Sequence, residues 1–416
     1  MPVPGPTLGS HQRVQGGDRV RERYSHIVIG AGALGSAAAY WLSEKAGSSS
    51  VLVLERFRTG HTFGASEDHS RIIRHTYHST DYTRLAPAAY AAWEHVEAET
   101  GLRLVHRTGG LDMAVAGSPG AAAVAAARDA LRAVGTPFED LDTDALRARW
   151  PQWRFPGEMV GIHQPDGGIL DIRHATAAHL ALARARGIDV LDETPVHRID
   201  GVGEAYVVHT PRGTFTADHL VLCAGSWTGQ LLPDLGVDLP ITLSQEQVGY
   251  FATPNLREFA MDRFPVWIWH GEDDWYGFPV YGEPAIKLAR DMAGRFVTQE
   301  TRSFEPDPAE TEVLRGFVAE HLPAGLGPER LSKTCVYDMP PDREFIADTL
   351  PGHPRVAMCV GAGHGGKFAG LLGQILADLV TEGATPHPIE AFRSDRRALT
   401  DPDFVPTFHH ESARAV

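Results

Sequence analysis

The 416-residue sequence predicts an α/β protein: a Rossmann-like nucleotide-binding domain, assembled from segments far apart in the chain, carrying a β-rich second domain. Three observations predict it. Strand–glycine turns recur at Gly30, Gly225 and Gly361; the first of them opens a glycine fingerprint; and residues 240–287 are dominated by strand signals. A serial two-domain chain would confine its nucleotide signals to one half.

The fingerprint is His26-Ile-Val-Ile-Gly30-Ala-Gly32-Ala-Leu-Gly35, followed by an Ala-rich helix. Gly30 allows the tight turn, Gly32 lets the backbone approach a pyrophosphate, and Gly35 lets helix and strand pack closely, with the helix N-terminus facing the phosphates. A second apolar strand, 51–54, ends in Glu55, placed to accept from a ribose hydroxyl. Residues 59–78 are polar, rich in His and Arg, and read as a long functional loop. Helices follow over 85–100, 121–134 and 175–186, the first with Leu85, Ala89, Trp93 and Val96 on one face. Residues 160–171 form a turn-rich strand region, with further strands at 188–191 and near Val196. Segments 206–209 and 213–216 pair around a Pro-Arg-Gly turn and lead into the strand before Ala224-Gly-Ser-Trp227. A helix over 310–321 precedes the last strand–glycine–helix unit, 355–380.

Composition narrows the function classes. A formal charge of −15 argues against nucleic-acid or anionic-membrane binding. Three scattered cysteines build no disulfide framework and no zinc pair, so no metal is expected. No run approaches the ~18 apolar residues of a membrane span. Residues 1–23 lack the apolar centre of a secretory signal and read as a disordered extension. A cytoplasmic location is expected.

Taken together, the motifs resemble the sarcosine oxidase-type branch of the FAD-dependent D-amino acid oxidase superfamily. The resemblance rests on the fingerprint with Glu55, Arg71-Ile-Ile-Arg74-His75, Ala224-Gly-Ser-Trp227, Tyr276-Gly-Phe-Pro279 with Lys287, Cys335-Val-Tyr337 and Gly363-His-Gly-Gly-Lys367. It implies a D-amino acid oxidase-type fold, with FAD-binding segments 24–105, 168–239 and 337–392, a substrate domain from 106–167 and 240–336, and a C-terminal tail from 393. It also implies a monomer that acts on a small amine or amino acid and reduces O2. A hydride would pass to flavin N5, the imine would hydrolyse, and reoxidation would release hydrogen peroxide.

The resemblance also assigns roles. Arg71 lies near the flavin, and Arg74 with Lys367 holds the substrate carboxylate, as bidentate guanidinium chemistry suits. Read from the residues alone, these arginines equally suit surface pairs with Glu67 and Asp68. Lys287 stands over the flavin and activates oxygen, while Tyr276 and Tyr337 line the cavity beside His364. The loop Gly363, Gly365, Gly366 faces the flavin pyrimidine, and Ser66, Val196, Ala224, Gly225 and Trp227 complete the cofactor cradle. Cys335, set among Lys333, Thr334, Tyr337 and Asp338, is expected to bind the flavin 8α-methyl as a thioether, its polar neighbours supporting a thiolate.

The chain departs from that pattern around the substrate. Asp291 stands where a histidine is expected, the His-His pair before Arg71 is absent, and Gly366 replaces a phenylalanine. The extra acids Glu67, Asp68 and Asp291, with the smaller Gly366, would suit a larger substrate with a second cationic or polar group. Other readings are a flavin dehydrogenase with a non-oxygen acceptor, a nicotinamide dehydrogenase on the first βαβ unit, and a flavin-holding protein without turnover.

Overall fold

The computed structural model describes residues 21–46 and 50–408. The disordered extension expected over 1–23 therefore lies, up to residue 20, outside the described residues, as does 409–416 of the tail; Arg23 already begins a strand.

Strands Asp189–Leu191, Val51–Leu54, Arg23–Ile29, Gly213–Leu222 and His353–Val360 lie side by side and parallel. The outer half of Gly213–Leu222 also pairs antiparallel with Ala205–Thr210, which pairs with Arg198–Val202, and Ile346–Leu350 pairs with His353–Val360. The central strands are continuously apolar because both faces are covered. Alternation divides their side chains: Val28, Val51, Val53 and Val221 join the cluster with the helices, whereas Ile27, Ile29, Leu52, Leu54, Leu220 and Leu222 join the opposite one.

Helix Ala33–Lys45 runs against helix Ala369–Glu382 so closely that a Cβ on Gly373 would stand 2.5 Å from Ala37. Trp41 Nε1 donates to the Gly370 carbonyl at 2.8 Å and ties the two together. The first and last glycine units, more than 300 residues apart, thus share one sheet and one helix layer.

A second, nine-stranded sheet runs in the order Arg295–Val297, Thr242–Ala252, Ala285–Asp291, Asp274–Phe278, Val266–His270, Gly110–Val115, Met159–Gln164, Glu139–Asp142, with Glu329–Met339 also paired to Thr242–Ala252. Its pairings are antiparallel except for Val266–His270 on Gly110–Val115. A three-stranded sheet of Arg71–Ile73, Gly168–Leu170 and Val105–Arg107 completes the architecture.

Some elements differ from the sequence reading. The loop expected over 59–78 contains the strand Arg71–Ile73, too short to show a period. The helix expected from 85 begins at Thr80, because Ser79 Oγ accepts from the Asp81 N–H at 3.1 Å, and it runs through Pro87. The short helix Thr143–Arg149 gave no apolar period, and Asp142 caps it by accepting from the Ala145 N–H at 2.9 Å. Residues beyond 393, read as a tail, form helix Arg397–Thr400, and Thr407 donates to the Pro341 carbonyl at 2.8 Å.

Gly373→Ala should destabilise the protein by ~1–3 kcal/mol, the usual cost of overpacking. Gly316→Ala, in open space within helix Pro308–His321, should stabilise it by up to ~1 kcal/mol. Urea denaturation of the two variants checks the opposite signs.

Candidate active site

A cavity of about 1600 Å3 runs between the two large sheets. Every predicted site residue lines it except Gly35. Gly35 acts from behind, since a Cβ there would stand 1.9 Å from the Gly30 carbonyl oxygen.

At one end lies the glycine turn. Gly30 has φ +99°, and a Cβ on it would meet the Cys223 carbonyl at 2.3 Å. Only glycine fits there. Glu55 is buried; its carboxylate accepts from the Ala31 N–H at 2.7 Å and the Phe57 N–H at 2.9 Å, with His61 Nε2 at 3.2 Å. Burial pushes this carboxyl up, but His61 and the two N–H groups outweigh it and hold it below its ordinary value. Ser66 Oγ accepts from the Ala33 N–H at 2.8 Å, at the helix start. Val196, Ala224, Gly225 and Trp227 close this end, and the Arg56 guanidinium lies 5.5 Å from the Trp227 ring centre. Arg56 escaped the sequence reading, although a cation directly after Glu55 was a usable signal.

At the other end the side chains are charged. Lys287 is buried, and its Nζ pairs with Asp68 at 2.6 Å and donates to the Ser70 carbonyl and hydroxyl at 3.2 Å. Tyr250 donates to Asp68 at 2.6 Å. Burial and Arg71 pull the Lys287 ammonium below its ordinary value, against Asp68. Burial pushes the Asp68 carboxyl up, but Lys287 and Arg71 hold it well below the usual carboxylate range. The lysine is a paired cation.

Glu67 pairs with Lys333 at 2.7 Å, and Asp291 pairs with Arg343 through both carboxylate oxygens at 2.7 and 2.8 Å. All three extra acids are thus bound to protein cations, which removes the expectation that they await a cationic substrate group. Nor do Glu67 and Asp68 hold the arginines by side-chain pairs. Arg71 donates to the carbonyls of Ala65, Glu67 and Ser70, and Arg74 Nη1 donates to Asp112 at 2.7 Å.

Lys367 Nζ donates only weakly, to the His364 carbonyl at 3.3 Å; burial, then Arg74 and Arg343, pull it well below its ordinary value. His364 Nε2 faces the Arg343 carbonyl at 3.1 Å, and burial holds the imidazole neutral. Gly363, at φ +77°, passes so close to the Tyr337 ring that a Cβ would stand 2.5 Å from it. Gly366 leaves room for Arg71, whose Cγ lies 3.4 Å from where its Cβ would be. Tyr276 and Tyr337 line the same space.

Cys335 lies on strand Glu329–Met339, opposite Glu246 of Thr242–Ala252. Its thiol is free, and burial pushes it up to about 12, Glu246 adding to the shift and Arg71 and Lys287 opposing it. This corrects the expectation that the polar neighbours support a thiolate: burial outweighs the nearby cations and keeps the thiol protonated.

Asp68→Asn should cost ~3–5 kcal/mol by leaving Lys287 buried without its carboxylate, and Asp68→Asn/Lys287→Met should recover most of it. The sign with pH is defined. Lys287 is depressed in the fold relative to ~10.4 unfolded, so the single variant should gain stability as pH rises toward that value and lose it as pH falls. The double variant should lack this slope in urea denaturation.

The cavity is larger than the ~300–1,000 Å3 of ordinary small-molecule sites, with a dinucleotide turn at one end and cations at the other. That combination of glycine turn, buried Glu55 and cationic end suits FAD. A family model described as FAD dependent oxidoreductase matches residues 25–379. A monomeric sarcosine oxidase of Bacillus sp. (strain NS-129) is 32% identical over 378 residues, spanning 90% of this chain and 97% of that protein. An N-methyl-L-tryptophan oxidase of Salmonella arizonae is 31% identical over 382 residues, spanning 90% and 99%. The solved open form of NikD, an unusual amino acid oxidase essential for nikkomycin biosynthesis, superposes with a TM-score of 0.80 at 27% identity, covering 90% of this chain and 98% of that one. Fold, glycine turn and full-length relatives agree, and this chain belongs to the FAD-dependent oxidoreductase family.

Proposed function

We propose that the protein is an FAD-dependent oxidase of a secondary amine or amino acid, converting the amine to an imine and O2 to hydrogen peroxide. One observation carries this reading: a single cavity runs from the Gly30 turn to Arg74, Lys367, Tyr276 and Tyr337. Bound there, FAD supplies a hydride acceptor for the C–N carbon and an electron donor for oxygen. Lys367 is half-buried with no carboxylate partner among the described residues, so an amino acid carboxylate supplies the missing counter-charge beside Arg74. The aromatic walls of Tyr276 and Tyr337 exclude water from the amine. His364, neutral and hydrogen-bonded to the backbone, fixes the loop that carries Lys367. The relatives named for N-methyl amino acid substrates support this substrate class.

In the same reading the cofactor is attached through Cys335, which lines the cavity on the strand beside Tyr337. A thiol raised to about 12 does not ionise in solution at neutral pH, so attachment needs the bound flavin to draw on Arg71 and Lys287 for thiolate stabilisation.

A second reading is favoured by the Lys287–Asp68 pair. A lysine neutralised at 2.6 Å stabilises developing negative charge less than a free one, which suits a dehydrogenase with a non-oxygen acceptor.

Acid precipitation should leave yellow colour with the wild-type pellet, whereas Cys335→Ala should release its FAD into the supernatant. Colour in the wild-type supernatant would remove the thioether and leave FAD binding intact. Lys287→Met should slow flavin reoxidation by on the order of 10²–10³ in stopped flow while changing reduction by substrate far less. Peroxide yield per substrate separates the two readings: about one supports the oxidase, and low yield with fast dye reduction the dehydrogenase.

A further inference from the structure

Arg74 is the centre of a hydrogen-bonded chain that no sequence motif announced. Its Nη1 donates to Asp112 at 2.7 Å, and the same Asp112 oxygen faces His270 Nε2 at 3.3 Å. His270 Nδ1 in turn faces Asp274 at 3.4 Å, and Asp274 accepts from the Gly271 N–H at 3.3 Å. Asp112 is only 2% exposed. The two strands that carry these residues run parallel, with Asp112 opposite Ile268, so that His270, two residues on, presents its ring to the same face. The Arg74 guanidinium also lies over the Tyr77 ring, 4.9 Å from its centre. It is therefore held on a face and at one nitrogen, while its buried Nε has no hydrogen-bond partner among the described residues.

We propose that Asp112 and His270 are positioning residues for Arg74, fixing its guanidinium so that the remaining N–H groups meet the carboxylate of an amino acid substrate. The proposal rests on the assignment of Arg74 to that carboxylate. A free arginine side chain loses much rotamer entropy when a ligand orders it. Here the ordering is done before the ligand arrives, which is how preorganisation raises affinity. His270 keeps Asp112 from turning away. Burial alone would lower its imidazole, but Asp112 and Asp274 raise it to about 9, so it donates from both nitrogens at neutral pH. Asp112 is thus clamped between two cationic donors. Arg74 and His270 are balanced by Asp112 and Asp274, so the chain adds order without adding charge.

The test titrates the FAD-loaded protein with acetate and with acetamide, following visible flavin absorbance. Wild type should bind acetate at least about 10-fold more tightly than acetamide, and Asp112→Ala should lose about 10-fold in acetate affinity with acetamide unchanged. Asp112→Asn retains a carbonyl acceptor for Arg74 Nη1 and should lose less than about 3-fold. A merely structural role would weaken both probes equally, which overturns the proposal. Unchanged or tighter acetate binding in Asp112→Ala overturns it too, making Asp112 a competitor for Arg74. If Asp112→Ala does not fold, Asp274→Ala, whose side chain is 45% exposed, carries the same readout with an expected loss of about 2-fold for acetate alone; equal effects on both probes would again count against it. Absence of acetate preference in wild type removes this proposal together with the Arg74 assignment. Turnover of neutral amines, assayed separately as peroxide, would still stand.

Discussion

The closeness of backbone to backbone at Gly30 is the constraint on which the rest depends. The Gly30 N–H donates to Leu54 at 2.8 Å, the Cys223 N–H donates to Ile29 at 2.9 Å, and the space above Gly30 is closed by the Cys223 carbonyl. Gly35 then seats its helix directly on the turn. Three strand ends are thereby brought to one rim, where Glu55, Ala224 and the helix N-terminus can share a ligand. With a side chain at Gly30, the strand ends would have to separate and the rim would no longer exist. Packing at Gly373 repeats the same device one layer out, where two helices approach through absent side chains.

Charge in the cavity is organised on a different principle from charge on the chain as a whole. The protein carries −15 overall, yet its inner cations are matched almost one to one: Lys287 with Asp68, Lys333 with Glu67, Arg343 with Asp291, Arg74 with Asp112. Buried pairs of this kind contribute little net stability, because desolvation offsets attraction. Their effect is order: each long side chain is pinned. Against that neutral background, Arg71 and Lys367 meet backbone carbonyls instead of acids, and Lys367 brings the unmatched charge that an anionic ligand held beside Arg74 would answer.

Much of this was legible in the sequence, and the parts that were not share a cause. The glycine turns, Glu55 and the strand runs announce themselves because the local backbone demands particular residues at fixed spacing. Gly30, Gly32, Glu55, Ala224 and Gly225 line the cavity on that ground, whereas Arg71, Arg74, Lys287, Cys335 and Lys367, which line it too, were singled out by the family resemblance. Partners across the fold leave no such mark. Nothing near Arg74 in the chain points to Asp112, 38 residues on, or to His270, and Asp68 read as a partner for the nearby arginines or for a substrate until the second sheet placed Lys287 beside it. Asp112 could have been suspected on one ground: it is an acid inside the apolar run Gly110–Val115, and a buried acid needs a partner. Glu246, flanked by Ser244, Gln245 and Gln247 in Thr242–Ala252, offered no such signal.

Glu246 bears on the chemistry of Cys335 through the sheet they share. Burial raises this carboxyl to about 7, although the Ser244 hydroxyl and the Gly294 N–H both donate to it. While Glu246 is protonated it leaves the facing thiol to the influence of Arg71 and Lys287; once ionised it opposes a thiolate across the strand pair. Two buried acids of like sign cannot easily both ionise in low dielectric. A cysteine that must become a thiolate to form a bond is therefore helped by a neighbour that ionises less readily than an ordinary carboxyl, and burial of Glu246 works in that direction. Burial alone makes Cys335 a poor nucleophile, so whatever reactivity it has must come from the charges around it, and those charges are set by the ion pairs that order the cavity.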